Sequence, residues 1–194
     1  KTLHRKIHGG LLALRKNPVH MRTLNEHNIG LIDMVVVNLY PFSATTQKPG
    51  VSIEEVMENI DIGGPSMLRS AAKNHQSVAV ICDPADYAKV ISELKNNAGC
   101  LPEALMRELG IKVYGHTSRY DAAIYDYLSN YFKTKKETED YPKELVLAFE
   151  KIQDLRYGEN PHQKAAFYKE KGKSAGLINL KQLQGKELSF NNIL

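Results

Sequence analysis

Two apolar runs of strand length, residues 32–39 and 77–82, are hydrophobic at successive positions rather than at alternate ones. Continuous hydrophobicity predicts strands that are buried on both faces, as in a parallel sheet. Strands and helical patterns alternate along this part of the chain, which indicates an α/β fold with a parallel sheet. Helices are predicted over 3–14, 18–27, 53–59, 65–73, 84–96 and 102–132, with an interruption of the last near Gly110 or Gly115.

Polar segments separate these elements. Residues 43–50 are predicted to form a loop, and Ser52 followed by Glu55 has the pattern of a capping box before the next helix. Residues 133–143 are charged and contain a proline, which is typical of a linker. Beyond that linker, the pattern predicts short strands at 145–149 and 165–168, joined by a loop of turn-forming residues at 158–161.

Composition and charge exclude several classes of protein. The chain has 194 residues and a net charge of +4, from 26 basic and 22 acidic residues. This small, dispersed charge does not indicate a nucleic-acid partner, although it suits an enzyme with an anionic substrate. Apolar runs fall well short of the ~20 residues that span a bilayer, and no signal peptide is visible. We therefore expect a cytoplasmic protein that has no membrane partner.

Both ends of the chain, Lys1 and Leu194, lie inside patterned segments, which predicts an internal piece of a longer protein. Its two cysteines form no CxxC motif, so reduced thiols are expected. His4 and His8 are one helical turn apart, but no third ligand follows at a recognisable spacing. No metal site is therefore predicted, and the GxSxG, P-loop and GxGxxG motifs do not occur.

Residues 60–75 carry the densest candidate chemistry. Asp61 precedes a Gly-Gly-Pro break, a short amphipathic helix follows from Pro65, and Lys73 lies near the end of that helix. An acid and a base on either side of a tight turn fit acid–base catalysis. The same residues also fit an ordinary capped helix whose terminal lysine complements the helix dipole.

Three further segments place polar side chains at the ends of apolar elements. Asn38 and Tyr40 follow the first strand at the edge where parallel sheets bind ligands, or they form a plain strand-ending turn. Lys1 and Thr2 could meet an anion near a helix N-terminus, or could belong to a frayed end. Arg156 with Tyr157 could bind a phosphate group, or could form a surface turn.

Taken together, five segments resemble one family. KTLH, NLYPF, IDIGG, AAKNH and LRYGENPHQ, in this order, are similar to the bifunctional purine-biosynthesis enzymes AICAR transformylase/IMP cyclohydrolase. The resemblance covers nearly the whole chain. It implies that residues 1–140 are most of a cyclohydrolase domain with the three-layer parallel sheet of methylglyoxal synthase, without its N-terminal part. It also implies that residues 141–194 are the linker and the start of a transformylase domain, which has a cytidine-deaminase-like α/β fold.

The resemblance also assigns roles to residues. In the cyclohydrolase, which closes FAICAR to IMP with loss of water, Lys73 matches the proton-transfer lysine and Asp61 its acidic partner and substrate contact. Tyr40 would polarise the formyl oxygen, with Lys1 as a second catalytic group that stabilises the oxyanion. The substrate-binding positions implied by the resemblance are Lys1, Thr2, Asn38, Asp61 and Ile62 for FAICAR, and Arg156 and Tyr157 for AICAR.

The cyclohydrolase reaction implied by the resemblance needs no cofactor, while the transformylase half uses 10-formyltetrahydrofolate as its co-substrate. The family enzymes are homodimers that act on the ribonucleotides FAICAR, IMP and AICAR. The resemblance implies that phosphate-binding loops precede Lys1 and that the transformylase's catalytic Lys-His motif and folate site follow Leu194. Two other functions stay open from the sequence: a ligand-binding regulatory module, and a fragment that only supports dimer formation.

Overall fold

The chain divides into two compact units, Lys1–Glu137 and Thr138–Leu194. The computed structural model describes residues 2–133, 147–170, 176–179 and 181–194. In the first unit the elements follow one another as α1 (Arg5–Leu12), α2 (Pro18–Glu26), β1 (Met34–Val36), α3 (Phe42–Thr46), α4 (Ile53–Glu58), α5 (Gly63–Lys73), β2 (Ala79–Ile81), a 3-10 turn (Pro84–Asp86), α6 (Tyr87–Asn96) and α7 (Glu103–Tyr131).

The predicted parallel pairing is present, because β1 and β2 run parallel with Val35 opposite Val80. All three residues of β2 are buried, as the continuous apolar pattern predicts. The two faces of the sheet pack against different apolar clusters. One cluster joins Val35 and Val80 to residues of α1, α5 and α7, and the other joins Ile81 to residues of α6 and α7. Helix α7 therefore contacts the core on both sides of the sheet.

The expectation for residues 32–39 is wrong in extent and in burial. Strand β1 covers only Met34–Val36, and 52% of the Val36 surface is exposed. Val35 is buried because it belongs to the cluster that joins the sheet to α1, α5 and α7, whereas Val36 belongs to neither apolar cluster.

The segment predicted as a polar loop contains a helix instead. Helix α3 spans Phe42–Thr46 and begins directly after Pro41. Phe42 is 2% exposed and packs edge-on against the rings of Tyr120 and Tyr127. Burial of the Phe42 ring stabilises this short helix, which the polar residues around it do not predict.

Helix α5 starts earlier than the Gly-Gly-Pro pattern predicts. It begins at Gly63, so that both glycines are helical and Pro65 is the third residue rather than the first. A proline is tolerated there because the N–H groups of the first turn have no partner within the helix. The apolar face is confirmed, since Leu68, Ala71 and Ala72 are buried.

The capping box before α4 is half present. The Ser52 hydroxyl accepts a hydrogen bond from the Glu55 N–H at 3.1 Å, as predicted. The Glu55 carboxylate, however, forms an ion pair with Lys48 at 2.7 Å. The cap therefore fixes the start of the helix through its serine.

Helix α7 is continuous over 29 residues, so the predicted interruption is wrong. At Gly110 the helix packs so closely on the end of α5 that an added methyl group would lie 3.0 Å from His75 Cβ. Gly110 thus serves close packing rather than a helix break.

The second unit contains an antiparallel pair, β3 (Phe149–Leu155) and β4 (Ala165–Glu170), followed by a 3-10 turn (Gly176–Asn179) and the short helix α8 (Phe190–Ile193). The predicted strand at 165–168 is confirmed within β4. The strand predicted at 145–149 is misplaced, because β3 begins where that prediction ends. Residues 145 and 146, and the proposed linker beyond Lys133, lie outside the described residues.

Candidate active site

The turn between α4 and α5 is organised by the side chain of Asp61. Its Oδ1 accepts a hydrogen bond from the Gly64 N–H at 2.8 Å, in the first turn of α5. Its Oδ2 accepts a second bond from the Tyr40 N–H at 3.4 Å. A carboxylate at a helix N-terminus is favoured both by the free N–H groups and by the helix dipole. Asp61 thereby joins the start of α5 to the segment that follows β1.

The two glycines after Asp61 allow close approach at the start of α5. A methyl group at Gly63 would collide with the Thr2 hydroxyl. One at Gly64 would collide with the Asp61 carboxylate and would lie 2.8 Å from Leu39 Cδ2. Glycine leaves room for these side-chain groups, which occupy the space that a Cβ would take at both positions. As a result Thr2 and Asp61 lie together at the helix start.

Tyr40 and Ile62 present large exposed side chains at this turn. The exposed fraction is 55% for Tyr40 and 61% for Ile62. Hydrogen bonds fix the backbone of both residues. The Tyr40 N–H donates to the Asp61 carboxylate, and the Ile62 carbonyl accepts from the Ser66 hydroxyl of α5 at 2.9 Å. The structure therefore brings four of the predicted site residues together: Thr2, Tyr40, Asp61 and Ile62.

The other predicted residues have different contacts or positions. Asn38 exchanges hydrogen bonds with the Tyr87 hydroxyl of α6, at 3.1 and 3.4 Å. Lys73 is exposed and is the last residue of α5, at the end of that helix opposite Asp61. Lys1 lies outside the described residues. Arg156 and Tyr157 belong to the second unit.

Tyr120 of α7 completes the turn, although no motif in the sequence singles it out. Its hydroxyl accepts a hydrogen bond from the Asp61 N–H at 2.8 Å and donates one to the Asn59 carbonyl at 3.2 Å. Burial raises the pKa of this hydroxyl, against a smaller opposing effect of its bond to the Asp61 backbone. The phenol therefore keeps its proton at neutral pH and remains a donor to Asn59.

In the second unit, Arg156 and Tyr157 form a stacked pair directly after β3. The Arg156 guanidinium lies 4.9 Å from the centre of the Tyr157 ring, and its Nη2 is 3.5 Å from the Tyr157 hydroxyl. A hydrogen bond with Ser189 is the largest influence that lowers the pKa of Tyr157, followed by its bond with Arg156. No motif in the sequence points to Ser189, which is the N-cap of α8.

The loop after Tyr157 is closed by Gln163. The Gly158 N–H donates to the Gln163 carbonyl at 2.9 Å, and the Asn160 N–H donates to Gln163 Oε1 at 2.8 Å. The backbone of the pair is held as well, since the Arg156 N–H donates to the Leu188 carbonyl at 2.8 Å. These bonds give the motif GENPHQ a structural role, which is to present Arg156 and Tyr157.

Among the described residues, no group of three or more His, Cys, Asp or Glu side chains is placed to hold a metal ion. Nor does any described helix have the length and apolar character required to cross a membrane.

Both cysteines are free thiols, and burial raises the pKa of Cys82. Lys112 forms ion pairs with Asp83 and Asp86 just after β2, and its hydrogen bond with Asp83 lowers the pKa of that carboxyl.

Comparisons with known proteins agree with the motifs. Residues 71–194 match the family model described as the AICARFT/IMPCHase bienzyme, and residues 3–66 match the model of an MGS-like domain. The crystal structure of ForH is similar to this chain with a TM-score of 0.62 and 32% sequence identity, over 69% of this chain and 68% of that one. The MGS-like match and the parallel pair β1–β2 confirm the α/β fold class.

Proposed function

This chain belongs to the family of the AICARFT/IMPCHase bienzyme, and we propose that its first unit closes the ring of FAICAR to give IMP. Membership of that family places the chain in purine biosynthesis. The observation that carries the proposal is the gathering of Thr2, Tyr40, Asp61 and Ile62 at the start of α5. We assign residues 1–140 to the cyclohydrolase domain and 141–194 to the linker and the start of the transformylase domain.

The reaction forms one bond and expels one water molecule. The carboxamide nitrogen of FAICAR attacks the formyl carbon, and the formyl oxygen gains negative charge as that bond forms. The carboxamide nitrogen loses one proton and the formamide nitrogen loses a second; the former formyl oxygen takes up both and departs as water, which leaves the aromatic ring of IMP. The site must therefore stabilise an oxyanion and accept and return protons.

The residues at the start of α5 suit these tasks. The exposed Tyr40 hydroxyl would donate to the formyl oxygen, while Asp61 and Thr2 would bind polar groups of the substrate. Ile62 would cover the flat ring. Asn38 would hold the base, and Lys1 would stabilise the oxyanion. Lys73 would carry the proton, which requires its long side chain to extend back along α5 toward the formyl group, the direction in which helical side chains tilt.

For the second unit we propose a part in formyl transfer from 10-formyltetrahydrofolate to AICAR. The stacked Arg156 and Tyr157 would bind AICAR, because a guanidinium group recognises phosphate and carboxamide oxygens and an aromatic ring offers a stacking surface. The proposal includes a homodimer in the cytoplasm, with no metal or redox cofactor for the ring closure.

Replacement of Lys73 by alanine tests the proposal. The cyclisation of FAICAR, followed by the absorbance of IMP, should fall at least ~100-fold in Lys73→Ala, which is the size of effect typical for loss of a proton-transfer group. The affinity for IMP should change little. Lys95→Ala is the matched control, because Lys95 lies in the last turn of α6 as Lys73 lies in that of α5. Equal turnover in the two variants would refute the proposed role of Lys73.

A second candidate function is a regulatory module that binds a nucleotide without turnover. It is favoured by the bonding of Asp61, whose two carboxylate oxygens already accept backbone N–H groups. Such a module would bind IMP or AICAR with an affinity that Lys73→Ala does not alter, and it would not cyclise FAICAR at all. Calorimetric titration beside the cyclisation assay separates the two functions.

A further inference from the structure

We infer that Tyr120 is a positioning residue for the ring closure, because its hydroxyl holds the backbone of the turn that carries Asp61. The inference rests on the proposed function. Tyr120 lies on α7, 59 positions after Asp61 in the sequence, and neither the motifs nor the family resemblance points to it. Its role follows from its contacts alone.

The hydroxyl of Tyr120 bridges the two sides of the turn. It accepts from the Asp61 N–H at 2.8 Å and donates to the Asn59 carbonyl at 3.2 Å. A phenol has a single proton to donate, so the bond to Asn59 uses it, and the bond from Asp61 uses an acceptor lone pair. This bridge fixes the backbone from which the Asp61 side chain extends.

The fixed backbone determines where the carboxylate lies. Asp61 can bond to the Gly64 N–H at 2.8 Å and to the Tyr40 N–H at 3.4 Å only while its own backbone keeps this position. The space is narrow, since Gly64 has no room for a methyl group beside the carboxylate. A shift of the turn would therefore displace Asp61 and Tyr40 together.

The ring of Tyr120 supports Tyr40 by a second route. It meets the Phe42 ring edge-on, with centroids 6.2 Å apart, and Phe42 follows Tyr40 by two residues. The hydroxyl and the ring can be tested separately, because Tyr120→Phe removes the first and keeps the second. Tyr127→Phe is the matched control: Tyr127 lies on the same helix and also meets the Phe42 ring edge-on, at 5.9 Å.

The first measurement needs no activity. In Tyr120→Phe, the Asp61 amide loses its acceptor, so its hydrogen exchange, measured by NMR on the whole chain, should become at least ~10-fold faster. The amide of Gly64 should exchange faster as well. Tyr127→Phe should leave both rates within about twofold of the parent chain. Unchanged exchange at Asp61 in Tyr120→Phe would overturn the inference.

The second measurement concerns turnover. Because a small displacement of a reacting group costs much in rate, kcat for FAICAR cyclisation should fall on the order of 10-fold in Tyr120→Phe, with KM within about threefold. In an Asp61→Asn background, Tyr120→Phe should lower kcat by less than about twofold further, because both changes act through one group. A full additional loss in that background would indicate a role that does not pass through Asp61, and would overturn the inference.

The two proposals fail in different ways. If Lys73→Ala and Asp61→Asn cyclise FAICAR as well as the parent chain does, the proposed function is wrong whatever Tyr120→Phe does. If those two variants are impaired and Tyr120→Phe matches Tyr127→Phe in turnover, the proposed function stands and the role of Tyr120 is refuted. In a chain that does not cyclise FAICAR, the exchange rate of the Asp61 amide decides whether Tyr120 holds the turn.

Discussion

The carboxylate of Asp61 and the ammonium group of Lys73 mark opposite ends of one helix. Asp61 accepts the N–H of Gly64 in the first turn of α5, and Lys73 is its last residue. At 1.5 Å per residue, the 11 residues of α5 separate these ends by about 15 Å. If both groups act in one reaction, each contacts a different part of the substrate.

This separation predicts that the two groups contribute independently to stability. Asp61→Ala should lower the free energy of unfolding by about 1 kcal/mol, because it removes a helix cap. Lys73→Met should change it by less than about 0.5 kcal/mol, because the side chain is exposed. Urea unfolding of the double variant should give the sum within about 0.5 kcal/mol. A coupling above about 1 kcal/mol would show that the two side chains interact.

Replacement of two glycines in α7 by alanine should change the stability of the chain in opposite directions. Gly110→Ala should destabilise the chain by about 1–3 kcal/mol, because its methyl group would lie 3.0 Å from His75 Cβ. Gly115→Ala should stabilise it by about 0.5–1 kcal/mol, because alanine favours a helix. The nearest atom at Gly115 is Arg119 Nη1, at 3.1 Å on a flexible side chain. Thermal unfolding of the two variants checks the signs, and a lower melting temperature for both would contradict the prediction.

Asn74 is predicted to be structural. It is 3% exposed, and its side-chain amide donates to the Leu11 carbonyl at 2.8 Å and to the Ala13 carbonyl at 3.0 Å. Asn74→Ala removes the donors of two carbonyl groups, which should cost about 2–3 kcal/mol in the free energy of unfolding.

The control for this change is Asn97→Ala. Asn97 also donates to a carbonyl oxygen, that of Glu93 at 2.8 Å, but at an exposed helix end. Water can replace that bond, so its loss should cost less than about 1 kcal/mol. Equal losses of unfolding free energy in the two variants would show that burial of Asn74 does not increase the contribution of its hydrogen bonds to stability.

The pKa of Tyr157 should depend on Ser189. In the folded chain this pKa lies below its ordinary value, mainly because of the hydrogen bond with Ser189. Ser189→Ala should therefore raise the pKa of Tyr157, so that its phenolate forms at higher pH. NMR titration of the labelled tyrosine ring carbon measures the change. A Tyr157 pKa that is the same in Ser189→Ala and in the parent chain would contradict the prediction.

Local sequence patterns predict the elements of the first unit correctly where the apolar positions also follow the spacing of a helix. The apolar face of α5, with Leu68 and Ala71, follows directly from helical spacing. The start of that helix does not, because Thr2 and Asp61 determine the packing around Gly63 and Gly64. Likewise, α3 depends on a single ring, Phe42, that finds its partners on α7.

The candidate site was only partly predictable for a similar reason. Asp61 and Tyr40 were singled out by motif, yet nothing in their spacing indicates that the side chain of one bonds to the backbone of the other. Tyr120 carries no local signal, because it is one of several tyrosines in α7 and its contact with Asp61 crosses 59 positions of the chain. Such contacts depend on the tertiary fold and not on periodicity.

The bond between Tyr120 and the Asp61 backbone has a consequence for how the protein is made. A ribosome adds about 5–20 residues per second, so Asp61 emerges about 3–12 s before the residue that completes its turn. During this interval α5 can form, but its N-terminal turn lacks the hydroxyl that bridges Asn59 and Asp61. The turn that carries Asp61 is therefore among the last parts of the first unit to mature on the nascent chain, after α7 has been synthesised and has docked.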